Sequence, residues 1–170
     1  MVGRTALVIA LLAVSPDAAG QPTPRAIVET ADISGLTASP DGKWLAYRIE
    51  GPSPVTNRID VDWYVVAADG QSSPLALGRT GTAWWDDAGV VVGGDARWSP
   101  DSRSLVVRAL VDGQVALWSA QIPSGSFEQV AAGAGDIDAF AFLRDGSLVT
   151  SEGPARDTIP RAQDLARGNG

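Results

Sequence analysis

The sequence predicts an all-β protein built from β-propeller-type blades, about three in number and an incomplete ring, each a four-stranded antiparallel sheet. Three observations carry this prediction. A Ser-Pro-Asp turn recurs with matched flanks. Short apolar runs alternate with clusters of Gly, Pro and Asp. No stretch of Arg25–Thr150 keeps a 3.6-residue apolar period over three turns, so long helices are not expected there.

The repeat is read directly from the residues. Ala38-Ser39-Pro40-Asp41-Gly42-Lys43-Trp44-Leu45-Ala46-Tyr47-Arg48 matches Trp98-Ser99-Pro100-Asp101-Ser102-Arg103-Ser104-Leu105-Val106-Val107-Arg108. Phe142-Leu143-Arg144-Asp145-Gly146-Ser147-Leu148-Val149-Thr150 is a weaker third copy. The aspartates stand at 41, 101 and 145, so the intervals are 60 and 44 residues. Proline presets φ for the second turn position, Asp bonds back to nearby backbone, and Gly accepts the left-handed conformation that closes the turn. Apolar residues on both sides make each copy a strand–turn–strand unit. A period near 44 is that of propeller blades. A β-sandwich with unrelated turns would not repeat the flanks.

Taken in chain order, residues 1–20 read as a secretory signal peptide. Arg4 is followed by the apolar run Ala6–Val14, the breaker Ser15-Pro16-Asp17, and small residues at 18–20. Nine apolar residues are too few to span a bilayer, which takes about 20. Cleavage there leaves the net charge at −7, because one Arg and one Asp are lost. Residues 21–30 read as a linker or entry segment: Gln21-Pro22-Thr23-Pro24 is stiff and extended, and structure should begin near Arg25 to Ile33.

Residues 31–153 hold the blades. Trp63–Ala67 follows the first turn as a strand and ends at Asp69-Gly70. Leu105–Leu110 and Val115–Ala120 flank Asp112-Gly113, a strong hairpin signature. Leu117 and Ser119 should face one way, Trp118 and Ala120 the other. The longer first interval leaves room for an extra hairpin, Thr82–Trp85 with Val90–Val92 around Asp86-Asp87-Ala88-Gly89. Trp44, Trp98 and Phe142 should fill the space between blades. Residues 154–170 read as a short helix or frayed tail, with Ile159, Ala162, Leu165 and Ala166 on one face and Pro160 at its start.

Composition narrows the function. The chain has 170 residues, 13 Lys+Arg and 20 Asp+Glu; Lys43 is the sole Lys. An acidic chain without a basic tract is not built for nucleic acid or an anionic membrane surface. Hydrophobic residues form 45% of the chain, enough for a core. Cys and His are both absent, which excludes disulfides, Cys/His zinc sites and a His-based triad within these residues.

Candidate sites are few. Gly-x-Ser-x-Gly is missing, and Pro123-Ser124-Gly125-Ser126-Phe127 lacks its flanking glycines. The carboxylate pairs Asp60/Asp62, Asp86/Asp87 and Asp136/Asp138 could serve hydrolysis or Ca²⁺ binding, but turn and strand positions explain them as well. Gly133-Ala134-Gly135 lacks the setting of a dinucleotide loop. Trp84-Trp85 could form a ligand platform, although packing accounts for tryptophans in strands. No catalytic, cofactor or metal residue is assigned, and no cofactor is expected.

A longer series of motifs carries a resemblance. Thr30-Ala31-Asp32-Ile33-Ser34-Gly35-Leu36 leads to Ser39-Pro40-Asp41-Gly42 and Tyr47-Arg48-Ile49-Glu50. Asn57-Arg58-Ile59-Asp60 leads to Trp63-Tyr64-Val65. Trp98-Ser99-Pro100-Asp101-Ser102 leads to Arg108-Ala109-Leu110-Val111-Asp112-Gly113. Over roughly Arg25–Arg167 this resembles the N-terminal part of the lasso peptide isopeptidases, a branch of the prolyl oligopeptidase-type serine peptidases. The resemblance implies a propeller over a C-terminal α/β-hydrolase domain carrying Ser, Asp and His. That enzyme class cleaves the isopeptide bond between an N-terminal amine and an Asp or Glu side chain, and its propeller filters substrate. None of those catalytic positions has a counterpart here.

The expectation is therefore an exported, periplasmic or secreted propeller portion, inert alone, whose partner is a lasso peptide bound with the hydrolase domain. Neither nucleic acid nor, after signal cleavage, a membrane is expected as a partner. The rival readings are a periplasmic TolB-like protein-binding propeller and a small self-contained β domain.

Overall fold

The computed structural model describes residues 23–85, 89–123, 125–154 and Thr158. The expected signal peptide lies outside them, as does nearly all of the expected C-terminal helix. None of the helices among the described residues is long and apolar enough to cross a membrane.

Regular structure begins at Pro24, one residue before the expected onset near Arg25. A one-turn helix, α1, spans Pro24–Val28. Thr23 caps it by accepting the Ala26 N–H at 3.1 Å, and Pro24 occupies a first-turn position whose N–H would be unsatisfied anyway. The proline that suggested extension is the residue that starts the helix.

The strands follow as β1 (Asp32–Ala38), β2 (Trp44–Ser53), β3 (Arg58–Ala67), β4 (Leu75–Thr82), β5 (Trp84–Trp85), β6 (Val91–Val92), β7 (Ala96–Trp98), β8 (Ser104–Val111), β9 (Gln114–Gln121), β10 (Glu128–Ala131), β11 (Ile137–Phe142) and β12 (Leu148–Glu152). β1 to β4 form the first antiparallel blade in sequential order. β7 to β10 form the second. β11 and β12 pair as the first two strands of a third. The single partnership Thr82↔Leu110 joins the first two blades at one corner. β5 and β6 form the extra hairpin that lengthens the first interval. Dividing length by period gives three to four blades; this insertion brings the described residues to two full blades and a half.

The repeated turn is held by its own side chains. Ser39 donates its hydroxyl to Asp41 Oδ1 at 2.7 Å and accepts the Trp44 N–H at 3.0 Å. Ser99 does the same with Asp101 and Ser104, at 2.6 and 2.9 Å. Both aspartates also accept the N–H two residues on. Leu143 replaces the serine in the third copy, and the turn loses one residue. Phe142 pairs with Leu148, six residues on, where Ala38 pairs with Leu45 and Trp98 with Leu105, seven on. A one-residue slip flips strand faces. Leu148 thereby takes the face of Leu45 and Leu105.

Two cores lie between blades. Val61, Trp63 and Val65 of the first blade meet Trp98, Leu105, Val107 and Ala120 of the second. Val106 and Leu117, on the second blade's other face, meet Ile137 and Phe140 of the third. Leu117 and Ala120 thus face opposite ways, as the strand period requires. Trp44, Trp98 and Phe142 all lie between blades as expected.

Ser102 sits at φ +61°, where the other two turns have Gly42 and Gly146. Its hydroxyl accepts the Asp41 N–H at 3.0 Å, tying the second turn to the first. Ser102→Ala should lower unfolding free energy by about 1 kcal/mol through the lost hydrogen bond. Ser102→Gly loses the same bond but relieves a left-handed residue, worth about 1 kcal/mol, so it should fall near wild type. Urea denaturation followed by tryptophan fluorescence separates the two; equal losses would contradict the account.

Candidate functional site

The residues that hold one blade to the next are the two arginines that end the matched motifs. Arg48 lies over the Trp63 ring at 5.7 Å, pairs with Glu50, and donates to the Gly94 carbonyl just before β7. Arg108 lies over the Trp84 ring at 5.5 Å, pairs with Asp95 at 2.7 Å, and donates to the carbonyls of Ile137 and Asp138 in β11. Arg48 uses the planar fork of its guanidinium on three partners at once and Arg108 on four, which a lysine could not do. Arg97 adds a bond to the Phe140 carbonyl at 3.0 Å, and Trp98 Nε1 donates to Thr37 at 3.3 Å. The inner strands β1, β7 and β11 are thereby laced side by side.

Gly93 permits the close approach of Arg48, since a Cβ there would lie 2.6 Å from its Nε, and Gly94 lets the segment before β7 lie against β8 within the second blade. Gly94 has φ +85°, and a Cβ there would lie 1.9 Å from the Arg108 carbonyl oxygen.

Beside the inner strands is a cleft of about 370 Å³ lined by Thr37, Pro40, Arg97, Trp98, Ala141 and Phe142. A second, of about 430 Å³, separates the second blade from the β11–β12 hairpin and is lined by Asp101, Ser119, Val130, Arg144 and Leu148 among others. The hydroxyl–carboxylate pair in the second, Ser99 with Asp101, is the hydrogen bond of the repeated turn and recurs as Ser39 with Asp41.

The carboxylate pairs take structural roles where they are described. Asp60 and Asp62 both face Arg79, at 2.8 and 3.5 Å. Asp136 accepts the Val115 N–H at 2.9 Å, and the Asp138 carbonyl receives Arg108. Asp86 and Asp87 lie outside the described residues, as does Ser124. The carbonyls of Gly133 and Gly135 receive the Gln114 amide, so that stretch is a tethered loop. Among the described residues no group of carboxylates is placed to hold a metal ion. The arginine clasp was visible in the sequence only as a repeated Arg at the end of each matched strand; Arg97 carried no such signal.

The turn aspartates titrate low. Hydrogen bonds from Ser39 and Lys43 hold Asp41 below the usual carboxylate range. Ser99 and Arg103 do so for Asp101, and Ser147 does so for Asp145. A depressed native pKa stabilises the fold above the unfolded value, near 3.8, and that contribution fades as pH falls through the lower native values. The melting temperature should therefore drop between about pH 4 and pH 2. The double variant Asp41→Asn, Asp101→Asn should show a shallower acid limb, measured by circular dichroism melts across that range. An unchanged limb would sink the assignment. Arg108→Ala, which removes the hydrogen bonds to two carbonyls and the half-exposed pair with Asp95, should cost about 1–3 kcal/mol in urea denaturation, and Arg108→Lys less.

Comparison with known proteins places this architecture. No family model matches the chain. The lasso peptide isopeptidase AtxE2 of Asticcacaulis excentricus is 28% identical over 152 aligned residues, covering 78% of this chain and 22% of that protein. Dipeptidyl-peptidase 5 of Porphyromonas endodontalis is 26% identical over 125, covering 73% of this chain and 16% of that protein. Among solved structures, apo AtxE2 superimposes with a TM-score of 0.71 at 24% identity, covering 87% of this chain and 25% of that one. A variant of AtxE2 with Astexin3-dC4 bound gives 0.65 at 26%. The chain spans a quarter or less of the length of these relatives. In its sequence and in the order of its blades this chain is a homologue of the lasso peptide isopeptidase AtxE2, matched over about a quarter of that protein's length.

Proposed function

We propose that the chain is the N-terminal, substrate-gating propeller portion of an exported serine peptidase that hydrolyses the isopeptide bond of a lasso peptide. The observation that carries this is the ordered match to AtxE2 across both blades, together with a relative solved with Astexin3-dC4 bound. Export rests on the signal-like pattern of residues 1–20. In this reading the nucleophile, the base and its orienting acid come from an α/β-hydrolase domain. With no His, the present 170 residues cannot build that triad themselves.

The blade faces support a partial ring. Leu105, Val107, Ala109 and Ala120 of the second blade are at most 2% exposed because the first blade covers them. By register, Leu45, Tyr47, Ile49 and Val66 hold the same positions in the first blade. They are only half-buried, with Tyr47 and Tyr64 stacked at 5.5 Å. A further blade would cover that face.

Two outcomes follow. The purified chain should leave a threaded lasso peptide intact, with no gain of one water by mass spectrometry; cleavage would overturn the reading. Residues 21–170 should self-associate in size-exclusion chromatography through the uncovered faces. A sharp monomeric peak with a cooperative melt would favour a self-contained domain instead. The coding sequence after Gly170 gives a direct check: a Gly-x-Ser-x-Gly followed by Asp and His supports the peptidase, whereas further Ser-Pro-Asp blades and a stop would refute it.

A further inference from the structure

The inserted β5–β6 hairpin has no counterpart in the second interval, and its residues belong to neither inter-blade core. It nevertheless has a rigid base. Trp84 is 9% exposed and lies under the Arg108 guanidinium, which the clasp already holds. Its neighbour Trp85 is 69% exposed. Between this hairpin and the tip of the β2–β3 hairpin runs a cleft of about 810 Å³. Trp85, Val91, Pro52, Pro54 and Ile59 line it, with Arg58 at the exposed rim. Arg48, Arg79 and Arg108 are all ion-paired, whereas Arg58 makes no hydrogen bond or ion pair among the described residues.

We propose that this cleft is a peptide subsite. It takes an extended segment that lays a proline or aromatic ring against Trp85 and presents a carboxylate to Arg58. The chemistry is specific on both counts. An aromatic wall flanked by prolines accepts flat or pre-extended apolar groups with little entropy cost. The Arg58 guanidinium, exposed and unpaired among the described residues, is free to pair with an anionic group. Lining by Pro52 and Pro54, which have no N–H, favours side-chain recognition over strand addition. The inference rests on the peptidase reading, in that it supplies a place for part of a peptide substrate, but it concerns residues that reading does not use.

The test titrates the full 170-residue chain with an N-acetylated hexapeptide containing Pro-Phe-Asp, read by tryptophan fluorescence and calorimetry. Saturable binding is expected. Replacing the peptide's Asp by Asn, or Arg58→Gln in the protein, should each weaken it about tenfold. Trp85→Ala should abolish it while leaving the far-ultraviolet circular dichroism unchanged, because that side chain is mostly in solvent. Absence of saturable binding would overturn the proposal. So would binding that survives Trp85→Ala and Arg58→Gln together, or self-association without peptide that Trp85→Ala abolishes, which would assign the cleft to a second copy. Binding that persists elsewhere in the double variant leaves the peptidase reading standing. A longer gene product that fails to cut a lasso peptide would refute that reading and leave the subsite untouched.

Discussion

A twisted four-stranded sheet has two faces and can cover neither by itself. Everything else in this molecule follows from that constraint. The second blade is the proof, because it alone has neighbours on both sides. Leu105 and Val107 are sealed by the first blade, and Val106 and Leu117 by the third. Adjacent residues of one strand thus belong to different cores. The strand reads as a continuous apolar run, Leu105–Val107, and not as an alternation.

Apolar contact is non-directional, so something else must set how far one blade sits from the next. The arginine clasp does this. Arg48 and Arg108 each span from the middle of one blade to a backbone carbonyl of the next, and each is fixed by a carboxylate and a tryptophan. Gly93 admits the approach because a Cβ there would strike Arg48 and Glu50 of the first blade. The same devices recur from blade to blade, which is how a repeat encodes an assembly.

Function in such a scaffold belongs to its rims and insertions, since the blade interiors are committed to packing. The described carboxylate pairs illustrate the commitment: Arg79 neutralises one, and Asp136 holds a backbone N–H. The one segment that interrupts the period also carries the one tryptophan left mostly in solvent.

The sequence by itself determined the turns, the hairpins and the all-β class. Those depend on residues within a few positions of one another: Ser39 with Asp41, or Asp112 and Gly113 at positive φ. It also marked the blade order through the repeat. The tertiary structure alone decided the rest. It turned Leu148 to the second blade's side by a one-residue shorter turn, buried Trp84 and left Trp85 outside. It also paired Arg48 with a carbonyl 46 residues away and Trp98 with one 61 away. Such partners are chosen by the distance between blades, and no local pattern of residues records that distance.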